Sequence, residues 1–174
     1  IVRNHGGDVT VDSQVGKGTV FEVFFPIAKG RPELAVVAEG GFPGGDERVL
    51  FVDDEPYIVE IYQPILERLG YEVSAYTSSI EALEAFGAKP NQFDLVITDQ
   101  TMPRMTGQMM AEEMMAIRSD IPIILCTGHS DLVDEAGAVK MGIRAFVMKP
   151  VVMGVFSETI RKVLENSALL ECSG

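Results

Sequence analysis

Hydrophobic and polar positions change rhythm twice along the chain, and the changes divide it into three zones. In residues 1–27, Val9 and Val11 alternate with polar neighbours, and Val20 to Phe25 form a second strand-like run. The intervening "SQVGKG" is a turn signal, so this zone predicts a β-hairpin. Two strands alone are marginal in water and need a further surface to lean on. Residues 28–46, "AKGRPELAVVAEGGFPGGD", carry Gly and Pro without helical or strand period and read as a linker.

In residues 47–168 the alternation becomes regular. The β-branched runs "RVLFVD", "YEVSAY", "DLVITD", "PIILCT" and "RAFVMK" are separated by helical patterns. Ile58, Ile61, Tyr62, Ile65, Leu66 and Leu69 fall on one helix face. Pro56 suits the first turn of that helix, whereas Pro64 inside it removes a hydrogen bond and predicts a kink. Phe156, Ile160, Val163 and Leu164 repeat the helical spacing, and residues 169–174 read as a short tail. Five βα units of this size predict an α/β fold, a doubly wound parallel sheet with helices on both faces. Such sheets place their chemistry at the carboxyl ends of the strands.

Composition narrows the partners. Among 174 residues, 26 are acidic and 14 basic, a formal charge of −12. Nucleic acid and anionic membrane surfaces repel such a chain, whereas divalent cations and basic surfaces suit it. The apolar fraction of 47% supports a substantial core. Cys126 falls in an apolar run and Cys172 in the last few residues, a usage that points to a reducing, cytoplasmic setting without a disulfide. No apolar stretch reaches the roughly 18 residues of a membrane span. There is no signal peptide, and the chain starts in mid-pattern, so it is expected to be a piece of a longer protein.

Four strand ends carry the candidate chemistry: Asp53 and Asp54, Thr98 and Asp99, Cys126 and Thr127, and Met148 and Lys149. A parallel sheet brings these ends to one edge. Three carboxylates cannot all stay ionised at close range without compensation. A hard cation with oxygen ligands, Mg²⁺ above all, supplies it, and Lys149 adds a second positive point. The set suits phosphoryl transfer, with an Asp carboxylate attacking phosphorus and the cation, the lysine and the hydroxyl meeting the transferring oxygens. Asp99 is the candidate nucleophile because it stands alone before a loop. Asp53 and Asp54 are the candidate metal holders. Taken singly, each of these residues also has an ordinary reading as a solvated turn or an acidic helix start.

In this order and spacing, "VLFVDDEP", "DLVITDQTMPRMTG", "PIILCTG" and "AFVMKP" resemble the receiver domain of two-component response regulators. The resemblance implies a flavodoxin-like fold with strand order 2-1-3-4-5. It makes Asp99 the phospho-acceptor. It makes Asp54, Asp99 and the backbone carbonyl of Thr101 direct Mg²⁺ ligands, and Asp53 a ligand acting through water. Lys149 matches the lysine that pairs with the phosphoryl group, Thr127 and Phe146 match the switch pair, and Gly128 matches the small residue that leaves the site open. The first zone, "IVRNHGGDVTVDSQVGKGTVFEVFFPI", is similar to the tail of the ATP-binding domain of sensor histidine kinases. Together the two likenesses imply the C-terminal portion of a hybrid histidine kinase whose parent chain is anchored or sensing upstream. The implied partner is a phosphohistidine donor, either the kinase itself or a histidine phosphotransfer domain. His5 and His129 lack the acidic, proline-containing context of a phosphorylatable histidine, so this chain is expected only to accept and slowly hydrolyse phosphate.

Two rival functions use the same residues. A Mg²⁺-dependent phosphohydrolase with an aspartyl intermediate needs an acid/base two residues after the nucleophile, where this chain has Thr101. A pseudo-receiver that only binds proteins would not need the full acceptor set. Elsewhere, "GKGT" at Gly16 to Thr19 lacks the spacing of a phosphate loop and reads as hairpin glycines. The six methionines from Met102 to Met115 read as adaptable core filling, with Met110 and Met114 one turn apart.

Overall fold

A computed structural model describes residues 2–3, 6–26, 41–128 and 142–171. The chain divides into two compact units, Ile1–Gly40 and Gly41–Gly174. His5, His129, most of the expected linker and Cys172 lie outside the described residues.

In the first unit, β1 (Asp8–Gln14) pairs antiparallel with β2 (Gly18–Phe24). Gly16 and Gly18 adopt φ of +80° and +109°, a region open to glycine, so the "GKG" glycines serve the hairpin turn. The register sets Val9 opposite Val23 and Val11 opposite Phe21, which places these four apolar residues on one face. All four are exposed within this unit.

The second unit holds β3 (Arg48–Val52), β4 (Glu72–Tyr76), β5 (Leu95–Asp99), β6 (Ile123–Thr127) and β7 (Ala145–Met148). They form one parallel sheet in the order β4-β3-β5-β6-β7, the expected 2-1-3-4-5 arrangement. Around it lie α1 (Pro56–Arg68), α2 (Ser79–Ala88), α3 (Gly107–Ile117) and α4 (Met153–Glu171). Ser78 and Thr106 cap α2 and α3 by accepting from the amides of Glu81 and Met109. The last helix runs to Glu171, past the expected boundary at residue 168.

Side chains alternate along every central strand, so each strand feeds two cores. Leu50, Val52, Val96, Ile123 and Leu125 pack with Ala82 and Phe86 of α2 and Met110, Ala111 and Met114 of α3. Val49, Phe51, Leu95, Ile97, Ile124 and Val147 pack with Leu66 of α1 and Phe156, Ile160, Val163 and Leu164 of α4. Met102, Met110 and Met114 are buried as core filling, while Met109 is half exposed. One expected core position is corrected: Ile61 is 51% exposed. Burial falls instead on Ile58, Val59, Tyr62, Leu66 and Leu69, because the packed face is turned toward Val59 and away from Ile61. The helix continues through Pro64 to Arg68, with that proline exposed.

At the opposite edge from the candidate chemistry, Arg48 ties β3 to the start of β5. Its guanidinium donates to Asp94 at 2.9 and 2.6 Å, and its backbone N–H donates to the same carboxylate at 2.8 Å. Those bonds hold the Asp94 carboxyl below its ordinary 3.8 against the opposing effect of burial. A depressed carboxyl adds stability above its unfolded pKa and loses it as pH falls through the folded value. Asp94→Asn is therefore expected to melt below wild type at pH 7, with the gap closing below about pH 4. Thermal melts from pH 7 to 3 check this, and a gap unchanged at pH 3 contradicts it. The pair is about one-third exposed, so added salt should narrow the gap.

Candidate functional site

The alternation that builds two cores also sorts the strand-end residues. Val49 and Phe51 face α1 and α4, and Asp53 follows at the next position of that parity. Leu95 and Ile97 lead in the same way to Asp99, and Val147 leads to Lys149. A small cavity of ≈ 10 Å³ on this side is lined by Asp53, Asp99 and Lys149 together with Tyr62, Cys126 and Phe156. The other parity carries Val52 to Asp54 and Leu125 to Thr127, and Phe146 packs half-buried against that second core. Asp54 lines a separate crevice of ≈ 90 Å³ with Thr77, Ser78, Met102 and Arg104.

Three of the five expected side chains therefore make direct contact. Lys149 Nζ lies 2.8 Å from Asp53 Oδ2 and 2.5 Å from Asp99 Oδ1. The remaining oxygens are also bonded: Glu55 N–H donates to Asp53 Oδ1 at 3.1 Å, and Thr101 N–H donates to Asp99 Oδ2 at 2.7 Å. Asp53 and Asp99 are 2% and 6% exposed, so each carboxylate relies on these partners in place of water. Thr127, also buried, joins through its backbone, its carbonyl accepting from Lys149 N–H at 2.8 Å. Gly128 is exposed, and among the described residues no atom lies within 4 Å of where its Cβ would stand. Thr101 is exposed at the start of the loop after β5.

Gly107 lets that loop close tightly. A Cβ there would stand 2.1 Å from the Asp99 carbonyl oxygen and 2.7 Å from Leu125 Cδ1. Without one, Gly107 N–H reaches the Gln100 carbonyl at 3.1 Å, and the Gln100 side chain accepts from Gln108 N–H at 3.1 Å. These bonds hold the start of α3 against the strand that presents Asp99.

The electrostatics follow from one ammonium serving two buried acids. Burial pushes the Lys149 ammonium down, but its bonds to Asp53 and Asp99 outweigh that and raise it, so it stays charged. Burial pushes the Asp53 carboxyl up, and the bonds from Lys149 and Glu55 N–H offset this only in part. Cys126 is a free thiol, pushed by burial up to about 12, and it stays protonated.

Oxygen donors of this kind suit a hard divalent cation. Among the described residues, however, no three acidic, His or Cys side chains stand close enough together to hold one. The expected meeting of three carboxylates is replaced here by two carboxylates around Lys149, with the third in the next crevice. Sequence reasoning missed Glu55 and Tyr57. The Tyr57 hydroxyl donates to the Glu55 carboxylate at the rim of the site. The proximity of "E" and "Y" in "DDEPY" was the available signal, but it carries no period or spacing rule.

A family model described as the response regulator receiver domain matches residues 49–161. The chain belongs to the response regulator receiver family. It is 30% identical to the sensor kinase CckA of Brucella abortus over an alignment that covers 95% of this chain and 18% of that kinase. A receiver-domain structure from Clostridium thermocellum superposes with a TM-score of 0.67 at 34% identity, covering 71% of this chain and 98% of that one. The response regulator TrrA of Thermotoga maritima, solved in complex with Mg²⁺ and BeF, matches with a TM-score of 0.61 at 32% identity, covering 67% of this chain and 98% of that one. The receiver is thus a module of two-component signalling with a flavodoxin-like fold. Among the described residues, no helix is long and apolar enough to cross a membrane.

Removing one partner of a buried ion pair strands the other charge. Lys149→Met is expected to cost about 3 kcal/mol of unfolding free energy at pH 7. Adding Asp53→Asn to that variant should return part of the loss, because one stranded charge is gone. Urea unfolding of the two variants checks this, and a double variant less stable than Lys149→Met contradicts it.

Proposed function

We propose that this receiver accepts a phosphoryl group on Asp99, with Lys149, Thr127 and a Mg²⁺ ion at the same sheet edge. One observation carries the proposal: two buried carboxylates at adjacent strand ends share the Lys149 ammonium, in a chain of the receiver family. Asp53, Asp54, Asp99 and the Thr101 carbonyl would hold the cation, with Asp54 brought over from the adjoining crevice. When bound, the cation supplies positive charge to the oxygens around the transferring phosphorus.

Asp99 has the position of a nucleophile. The Thr101 N–H and the Lys149 ammonium each hold one of its oxygens, and both donors can follow the charge onto a phosphoryl group. In transfer from a phosphohistidine, an Asp99 oxygen forms the new O–P bond as the N–P bond breaks. The electron pair returns to the donor imidazole. Gly128, at the carboxyl end of β6, carries no side chain to obstruct the donor. The group added to Asp99 brings roughly −1.5 to −2 charge. Lys149 then exchanges its bond to the Asp99 carboxylate for the phosphoryl oxygens, and Thr127 turns toward them. Phe146, on the same core side as Thr127, follows and shifts a two-state equilibrium toward the signalling form.

The partner in this reading is a phosphohistidine donor, either a kinase or a phosphotransfer domain. The first unit is read as the closing hairpin of a kinase ATP-binding domain, residues 1–27, joined by a linker to the receiver at 47–168. The alignment with the CckA kinase supports this, since at 95% of the chain it must include the hairpin. The exposed apolar face of Val9, Val11, Phe21 and Val23 is the surface such a domain would cover. A reducing, cytoplasmic compartment suits the free Cys126. The phosphohydrolase alternative gains nothing from the geometry, because Thr101 offers no acid.

Wild-type protein is expected to take label from acetyl phosphate only with Mg²⁺, and Asp99→Asn is expected to take less than about a hundredth of it. Labelling of Asp99→Asn at wild-type stoichiometry would overturn the assignment. Sustained turnover of simple phosphate esters would favour the hydrolase instead.

A further inference from the structure

Glu55 occupies the N-cap position of α1, yet its carboxylate makes no capping bond to that helix. Glu is not among the favoured N-cap residues, so capping leaves that side chain free for another partner. It accepts from the Tyr57 hydroxyl two residues on. Meanwhile its own backbone N–H holds Asp53 Oδ1 at 3.1 Å, which fixes the Glu55 main chain against the site. The Tyr57 phenol is held above its ordinary range chiefly by the Glu55 bond, with Asp53 adding to the rise and Lys149 opposing it. Tyr57 is 55% exposed and forms no part of either core, so packing does not explain its placement.

We propose that Glu55 and Tyr57 form a clasp that sets the divalent-cation affinity of the site. Tyr57 holds the Glu55 carboxylate through a charge-assisted bond. Were a hydrated Mg²⁺ held by Asp53 and Asp54, the Glu55 carboxylate, next in sequence to Asp54, would be available to it as an outer carboxylate once freed from the phenol. Mg²⁺ keeps several of its waters and binds few protein ligands directly, so a carboxylate one water away is a usable partner. The phenol competes for that carboxylate and keeps the affinity lower than the acidic set alone would give. This inference rests on the cation reading of the site and adds two residues to it.

Mg²⁺ titration of the 174-residue chain, followed by calorimetry at low salt, tests the clasp through binding with no phosphotransfer step. Glu55→Gln is expected to weaken Mg²⁺ binding about threefold to tenfold, as loss of a nearby unit charge would. Tyr57→Phe is expected to tighten it about twofold to fivefold, because a neutral competitor is removed. The variant carrying both changes should match Glu55→Gln, since the phenol acts only through that carboxylate. The clasp is overturned if either single variant binds as wild type does, or if Tyr57→Phe still tightens binding in the Glu55→Gln background. Asp54→Asn separates the two readings. If it weakens binding while the clasp variants do not, only the clasp falls; if wild type binds no Mg²⁺, both fall. Melting in EDTA confirms that each variant is folded, and the exposure of Tyr57 makes that the expected result.

Discussion

A single ammonium placed between two nearly buried carboxylates is the constraint on which this receiver is built. Neither Asp53 nor Asp99 could be buried as a charged group by itself. Lys149 makes their burial tolerable, and backbone amides from Glu55 and Thr101 satisfy the oxygens that it leaves. The balance is incomplete, since two negative charges face one positive. That residue of negative charge is what a divalent cation can exploit. A site fully neutralised by its own side chains would have no such reason to recruit one.

The sheet supplies the geometry. Its two-residue repeat carries Asp53, Asp99 and Lys149 to one side of the sheet edge and Asp54, Thr127 and Phe146 to the other. The first set is an ion-paired anchor beneath the edge. In the second set, Thr127 stands at the edge and Phe146 packs into the core beneath α2 and α3, where the proposed switch would act. Backbone bonds from Lys149 to Thr127 and from Gln100 to Cys126 keep the strand ends in register, so the two sets cannot drift apart.

Much of this was legible in the sequence. Each of the five β-branched runs became a strand of the parallel sheet, and the hairpin glycines fell where its turn needs them. The strand-end residues meet at one edge, as expected, because parallel strands leave little freedom about where their carboxyl ends go. The finer grouping was not read, although it follows from parity: adjacent residues such as Asp53 and Asp54 must face opposite sides of a strand continued in extended form. Ile61 was misplaced because an apolar stripe shows what a helix could bury, whereas the neighbouring elements decide which arc they cover, here one turned toward Val59. The Glu55–Tyr57 contact depends on two rotamers at a helix start, and no periodicity encodes those.

The most direct test of the account is a crystal structure with Mg²⁺ and beryllofluoride bound. The charge argument predicts the fluoride adduct on Asp99, the cation among Asp53, Asp54 and Asp99, and the Lys149 ammonium moved from the Asp99 oxygen onto fluoride. A cation bound at another surface, or Lys149 still bridging Asp53 and Asp99 with the adduct absent, would contradict it.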